Sequence, residues 1–376
     1  MRLTKQLLFL VAAIMAESPT LRAVEAVIPA SKEVHMLAAA ADTPELPYLA
    51  FPAVLDLGEE VLISFKQGRS HAADPGAVLE GLWIDKSKGA VKSRRTLAKI
   101  EGEIMQMGEW VRFANGDIAN YIDAQRKEVP TRTGLRFIRS TDGGRSFGKV
   151  ERLGVVSGVE YGYAFDAITQ GKTTWMLVMT FANLTGGELV HKRNSQPGSV
   201  DVIRTDDDGG TWKFVRSITR ELEGAPINES AFLRHGEDFL VTARGYDNRQ
   251  WLLRMDDGFK LKKRVDLTAE HDFIESYVGR PRLFERDGGI YLLGRNWTDK
   301  GPMKLSLFKI DPQTLDITRH VLLDNAEGEP VADGYYAQSY WQMREGRMRF
   351  NVINYKRGSQ PAPDILRWEY DWEEVK

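Results

Sequence analysis

At 376 residues, with 42% hydrophobic and 10% aromatic content, the chain can bury one large core or two modest ones, and its composition excludes intrinsic disorder. Its 51 basic and 53 acidic residues nearly cancel to a formal charge of −2, which excludes the basic field that nucleic acid binding draws on. With no cysteine, it uses neither disulfides nor a thiol-linked lipid anchor.

The chain opens with Arg2 and Lys5, the apolar run LLFLVAAIMA over residues 7–16, and the small-residue site VEA ending at Ala26. This order is that of a secretory signal cleaved after Ala26, and the run is too short to span a membrane. A mature chain over 27–376 is therefore expected in the periplasm or outside the cell, with no membrane insertion. The competing reading is a buried amino-terminal helix, but nothing before Val27 shows a polar face at helical spacing. Beyond residue 45 the chain reads as short strands separated by Gly or Asp turns, among them EVLISF, GLRFIRS, TTWMLVMTFA, DFLVTAR, GIYLLGR and KLSLFKI. Helical periodicity is nearly absent.

One turn repeats. RSTDGGRSF at 139–147 returns as RTDDDGGTW at 204–212, both of the form Ser/Thr-x-Asp-x-Gly-x-Ser/Thr-aromatic. The Asp carboxylate can accept backbone N–H bonds while Gly takes the positive φ, and the closing aromatic is expected to pack into the layer below. Weaker copies centre on Asp85, Asp256, Asp311 and Asp371, so that with Asp142 and Asp207 the six marks lie about 57 residues apart on average, the length of a four-stranded propeller blade. LRHGEDFLVTAR (233–244) and FERDGGIYLLGR (284–295) also align without a gap, each reading as the inner two strands of a blade. The reading is an all-β, six-bladed β-propeller as a single domain over 27–376. A β-sandwich would also show short strands but would not repeat one turn six times.

In such a blade the repeated Asp sits at the turn between the third and fourth strands, on the bottom face, and is structural. Chemistry is expected on the top face, where strand one begins, strand two ends and the loop between strands two and three lies. The top positions are polar: Arg69, His71 and Asp74 in GRSHAADPGA, Glu229 in INESAFL, Arg244, Arg280 opposite Glu229 in the ungapped alignment, Arg295 opposite Arg244, and Tyr335 and Tyr336 in ADGYYAQSYW.

These stretches resemble the sialidases, six-bladed propellers with Asp-box turns, over nearly the whole mature chain. FPAVLDLGEEVLISFKQGRSHAAD is similar to the family's opening strand pair, with Pro52 in its Arg-Ile-Pro motif and Asp74 at its acid/base position. NESAFLRHGEDFLVTAR is similar to the segment bearing the family's Glu and second carboxylate-binding Arg, here Glu229 and Arg244. DGYYAQSYWQMREGRM resembles the segment with the nucleophilic Tyr, for which Tyr336 is preferred and Tyr335 held in reserve. Arg280 is preferred as the third Arg over Arg282 and Arg295. The chain departs from the pattern at the first Arg, whose spacing from Arg69 falls on Ala50.

The resemblance implies a retaining exo-glycosidase acting on a terminal acidic sugar of a glycan. Tyr336 attacks the anomeric carbon, Glu229 takes its proton, and Asp74 protonates the leaving oxygen and later activates water. Arg69, His71, Arg244 and Arg280 would bind substrate. Ala50 points to a changed sugar, so a hydrolase or lyase for another acidic or deoxy sugar competes with this reading, as does a non-catalytic glycan-binding propeller. Structural alternatives stay open: Asp74 as a turn cap, Glu229 as a rim salt bridge, Tyr336 as an aromatic filling the axis. No cofactor is expected. His and carboxylate residues show no zinc-ligand spacing, and GGRSF and DDGGTW lack the Lys and the strand-to-helix context of a phosphate loop. Oligomeric state is not legible.

Overall fold

The computed structural model describes residues 24–72, 74–127, 131–181, 198–274, 276–297 and 301–376. The export signal read above lies, up to residue 23, outside the described residues. The described residues form six small sheets in a ring, a six-bladed β-propeller. Blade one holds Tyr48–Asp56, Glu60–Gly68, Val78–Asp85 and Ala90–Ala98 in sequence order. Its first three strands are largely buried, whereas the outermost is mostly exposed and carries Lys92, Arg94 and Arg95. Charge on an outer strand keeps its unpaired edge from recruiting another chain. Blades two to five begin with Ile104–Arg112, Val159–Gln170, Ile227–His235 and Tyr277–Arg286.

Blade six joins the two ends of the described chain. Gln338–Arg344, Arg347–Arg357 and Asp364–Asp371 supply its inner strands, and Glu33–Ala38 supplies the outer one, antiparallel to Asp364–Asp371. The spacing of the Asp turns does not disclose this closure, because the sixth turn leads into the short helix Trp372–Val375 rather than a fourth strand. Ala26–Val27 adds a further short strand, parallel to Asp316–Asp324 on blade five.

All six marked Asp residues end or follow the third strand of their blade, and each accepts a backbone N–H from two to four residues further on. At Asp142, Oδ1 takes Arg145 N and Ser146 N at 3.0 and 2.9 Å and Oδ2 takes Ser146 Oγ at 2.5 Å, while Ser140 Oγ takes Gly144 N at 2.8 Å. At Asp207, Oδ1 takes Thr211 N at 2.8 Å, and Thr205 Oγ1 takes Gly209 N at 3.0 Å. Gly144 and Gly209 both have φ of +84°, where a Cβ is disfavoured. Asp85, Asp256, Asp311 and Asp371 accept from Lys88 N, Lys260 N, Gln313 N and Glu373 N at 2.7–3.1 Å. The closing aromatics pack sideways rather than below. Trp212 of blade three meets Phe113 and Tyr121 of blade two, and Phe147 of blade two joins the cluster of Leu62 and Trp83 in blade one. These two turns thus also seal seams between blades.

The opposite ends of the first strands share another feature. A β-bulge interrupts the pairing at Ala50/Ala53, Met105/Met107, Ala164/Asp166, Ile227/Ser230 and Gly279/Arg282 in blades one to five. A bulge bends its strand and re-aims side chains. Here the skipped residues include Phe51, Gln106, Phe165, Glu229 and Arg280, and Phe51 and Arg280 take φ of 58° and 46°.

Asp142→Ala or Asp207→Ala should lower the melting temperature by a few degrees while leaving any turnover per folded molecule unchanged, measured by thermal unfolding beside an activity assay. Loss of turnover at unchanged stability would contradict the assignment of these turns to scaffolding.

Candidate active site

Tyr336 and Glu229 meet directly. The Tyr336 hydroxyl donates to Glu229 Oε1 at 2.6 Å, with both side chains buried. The adjacent tyrosines take different partners. Tyr335, at φ of 63°, donates its hydroxyl to Asp324 Oδ2 at 2.5 Å instead. The two candidates for one role are thereby separated: one faces the carboxylate of blade four, the other fills the interior behind it.

The four arginines named from blades four and five divide in the same way. Arg244 Nη1 donates to Glu229 Oε2 at 2.7 Å, and its guanidinium lies 3.9 Å from the Tyr277 ring centre. Arg280 gives Glu229 Oε2 only its backbone N–H, at 2.9 Å, and turns its guanidinium to Glu109 Oε2 at 2.7 Å. Arg282 holds the same Glu109 through two bonds of 3.0 and 2.5 Å and reaches the Phe165 carbonyl at 2.9 Å. Arg295 has no acidic hydrogen-bond partner among the described residues and lies 4.7 Å from the Tyr336 ring centre. The strand position favours Arg280 as third arginine, and Arg295 stands beside Tyr336 with no carboxylate hydrogen-bonded to it among the described residues.

These neighbours set the protonation states. Burial alone would raise the Glu229 carboxyl, but Arg244 and then Arg295 outweigh it, helped by the Tyr336 hydroxyl and the Arg280 N–H, and bring it down to about 2. Burial, reinforced by the charge on Glu229, pushes the Tyr336 phenol well above its ordinary value. The pair is an ionised carboxylate accepting from a neutral phenol.

The loop after Glu60–Gly68 carries the remaining candidates. Asp74 is buried, and its Oδ2 accepts Arg69 N at 2.6 Å and Ser70 N at 3.3 Å, with Lys66 Nζ at 3.8 Å. A Cβ on Gly68 would lie 1.9 Å from that oxygen, so the glycine of the Gly-Arg loop is required by the carboxylate behind it. His71 is half-exposed and its Nδ1 lies 2.6 Å from Asp333 Oδ2. Arg69 is exposed, with no ion pair among the described residues. Ala50 is fully buried opposite Lys66, so an arginine there would crowd a buried ammonium. Burial brings Lys66 down to about 8 against the pull of Asp74, Asp123 and Asp333. Next to Ala50, Phe51 packs against both His71 and Tyr336, with ring centres 5.0 and 5.3 Å apart. The narrow cleft between Phe51, Pro52, Arg280 and Tyr336 has no room for a water molecule. A wider groove of about 870 Å³ lies between blades five and six on the same face, lined by Trp297, Met303, Glu329, Lys356 and Gln360.

Sequence reasoning missed Glu109, Asp333, Lys66 and Gln106. Glu109 had a signal, an acid inside the apolar first strand IMQMGEWVR, which an inner strand tolerates only when the charge is paired. Asp333 reads as a turn residue in ADGYY, and nothing local distinguishes it.

Among the described residues no group of three His, Asp or Glu gathers as a metal site, and no helix is long and apolar enough to cross a membrane. No protein-family model and no curated protein matches the chain. Solved structures do. A protein of unknown function from Dyadobacter fermentans aligns over 91% of this chain and 98% of its own, with a TM-score of 0.68 and 14% identity. A mutant of the NanB sialidase from Streptococcus pneumoniae aligns over 91% and 71%, with a TM-score of 0.62 and 10% identity. Trypanosoma rangeli sialidase in complex with the inhibitor DANA aligns over 94% and 59%, with a TM-score of 0.57 and 10% identity. The chain shares with the sialidases the fold of a six-bladed β-propeller.

Proposed function

We propose that this protein is an exo-acting, retaining glycoside hydrolase for a terminal acidic sugar of a glycan, with Tyr336 as nucleophile and Glu229 as its base. The observation that carries the reading is the 2.6 Å hydrogen bond from a buried phenol to a buried carboxylate flanked by Arg244 and Arg295. A glycan-binding propeller has no use for a base beside a tyrosine. Trypanosoma rangeli sialidase has been captured with 2,3-difluorosialic acid as a covalent intermediate, and a Tyr336 adduct would be its counterpart here. A neutral phenol suits an anomeric centre that bears a carboxylate, since an anionic nucleophile would be repelled. Glu229, brought to about 2, is a weak base while Arg244 and Arg295 face it. An anionic sugar that draws Arg244 and Arg295 to itself relieves Glu229 of their charge and raises its basicity as Tyr336 attacks. Phe51 must turn aside to admit the sugar. The export signal, in this reading, delivers the enzyme to the periplasm or the medium.

Tyr336→Phe and Glu229→Gln should each cut turnover of the responsive glycoside by roughly 10²-fold or more while the protein still unfolds cooperatively. A screen of aryl glycosides of sialic, uronic and deoxy sugars identifies that glycoside. Full activity in both variants would remove the proposal.

Glu229 also makes stability depend on pH. Its folded value lies below the ordinary 4.5, so its contribution is complete above that pH and is lost as pH falls toward 2. The melting-temperature gap between wild type and Glu229→Gln should be widest near neutrality and close across that acid range.

Ala50 leaves the arginine clamp one member short, and a charge-assisted contact is worth about 1.5 to 3 kcal/mol. Aryl sialosides should therefore be cleaved with kcat/KM lower than the best acidic or deoxy glycoside by roughly one to two powers of ten. Sialosides as the best substrate would show that Ala50 does not redirect specificity.

A further inference from the structure

The loop carrying Asp74 is built to present a different residue. The His71 carbonyl accepts from Gln106 Nε2 at 2.7 Å and from Lys66 Nζ at 3.1 Å, two buried donors on neighbouring blades. Its imidazole is fixed independently, with Nδ1 on Asp333 Oδ2 at 2.6 Å. Asp333 is buried and accepts in addition from the Tyr48 hydroxyl and, at 3.0 Å, from the Tyr355 hydroxyl. Burial works to raise the Asp333 carboxyl, but the bonds from His71, Tyr48 and Tyr355 hold it low, so it stays ionised behind the ring. A half-exposed loop histidine is rarely held at both backbone and side chain by buried groups, and ordering it so costs conformational entropy that a purely solvated residue would keep. With Nδ1 engaged, Nε2 is the nitrogen without a hydrogen-bond partner among the described residues. The ring edge meets Phe51, whose other neighbour is Tyr336. Asp74, by contrast, spends its exposed-loop position facing inward, with one oxygen closed by two backbone N–H groups of its own loop.

We propose that His71, oriented by Asp333, is the acid/base that protonates the glycosidic oxygen, and that Asp74 is a positioning residue which shapes the loop. This rests on the glycosidase reading above. In the first step Tyr336 Oη bonds to the anomeric carbon, its proton passes to Glu229, and the carbon–oxygen bond to the aglycone breaks as His71 Nε2–H delivers its proton to the leaving oxygen. In the second, neutral Nε2 takes a proton from water as its oxygen attacks the anomeric carbon, and Tyr336 leaves with the proton returned by Glu229. Asp333 keeps Nδ1 protonated throughout, which leaves Nε2 as the nitrogen that exchanges.

The test compares wild type, His71→Ala, Asp333→Asn and Asp74→Asn on two glycosides of the same responsive sugar, one with a nitrophenyl and one with an alkyl aglycone. Loss of a proton donor matters only when the leaving group needs the proton. His71→Ala should lose roughly 10²-fold or more in kcat/KM on the alkyl glycoside and under about tenfold on the nitrophenyl glycoside. Azide, which attacks without a base, should restore turnover of the nitrophenyl substrate and yield the glycosyl azide. Asp333→Asn should show the same selectivity in weaker form, and Asp74→Asn should lose activity on both aglycones alike. Melting curves confirm that each variant is folded. Equal losses on both aglycones in His71→Ala, or the selective loss and azide rescue appearing in Asp74→Asn, would overturn the assignment. If wild type cleaves no glycoside, or Tyr336→Phe is fully active, the glycosidase reading itself fails. Tyr336-dependent cleavage with an indifferent His71→Ala confines the failure to His71.

Discussion

A buried charge on the propeller axis must find its counter-charge there, and the pairing of Glu109 with Arg280 and Arg282 meets that requirement for three side chains from opposite sides of the ring. Glu109 belongs to the first strand of blade two, the arginines to that of blade five. Arg282 extends the contact to the Phe165 carbonyl of blade three, and Gln338 of blade six accepts Val54 N of blade one at 2.6 Å. Removing Glu109 would leave Arg280 buried without an ion pair and Arg282 with Asp166 alone, a far larger penalty than losing a surface pair. The same pairing commits the guanidinium groups of Arg280 and Arg282 to Glu109.

The two faces of the ring obey different rules. On the bottom, short side chains close turns on their own backbone, and each Asp answers N–H groups within four residues. Such a device is local, so it can be copied from blade to blade. On the top, bulges at the first strands turn Glu229 and Arg280 inward, and several of the bonds that build the site cross between blades: Tyr336 to Glu229, Arg280 to Glu109, His71 to Asp333. Repetition builds the scaffold and departure from it builds the site, as in Phe51, whose positive φ before Pro52 places an aromatic ring between His71 and Tyr336.

This division explains what was legible. The six Asp turns and strand alternation disclose the propeller because their causes lie within a few residues of one another. Glu229, Arg244 and Tyr336 were also within reach, because equivalent positions in successive blades share a face. Three things were not. The outer strand of blade six is contributed by Glu33–Ala38, over three hundred residues from its partner, and no local pattern names that partner. The engagement of Asp74 with its own loop depends on how the chain curls over Gly68. The commitment of Arg280 to Glu109 spans 171 residues and is a matter of charge balance in three dimensions.

That balance also bears on the ligand. Around the axis Arg244, Arg280, Arg282 and Arg295 face the carboxylates of Glu229, Glu109 and Asp166. Burial is the largest influence on Asp166 and lifts it to about 7 despite Arg282, so near neutrality its negative charge is partly withdrawn. The cluster then carries an excess of positive charge, concentrated at Arg295, whose only hydrogen-bond acceptor among the described residues is the Gly334 carbonyl at 3.5 Å. In a site closed to water such an excess is unfavourable unless something anionic arrives, and low dielectric makes the attraction stronger than it would be at the surface. A neutral sugar would leave Arg295 as it is; a sugar carrying a carboxylate next to its anomeric carbon would satisfy Arg295 and set that carbon beside Tyr336 in one movement. Under the proposed function, recognition of an acid and placement of the reacting atom would thus be one event.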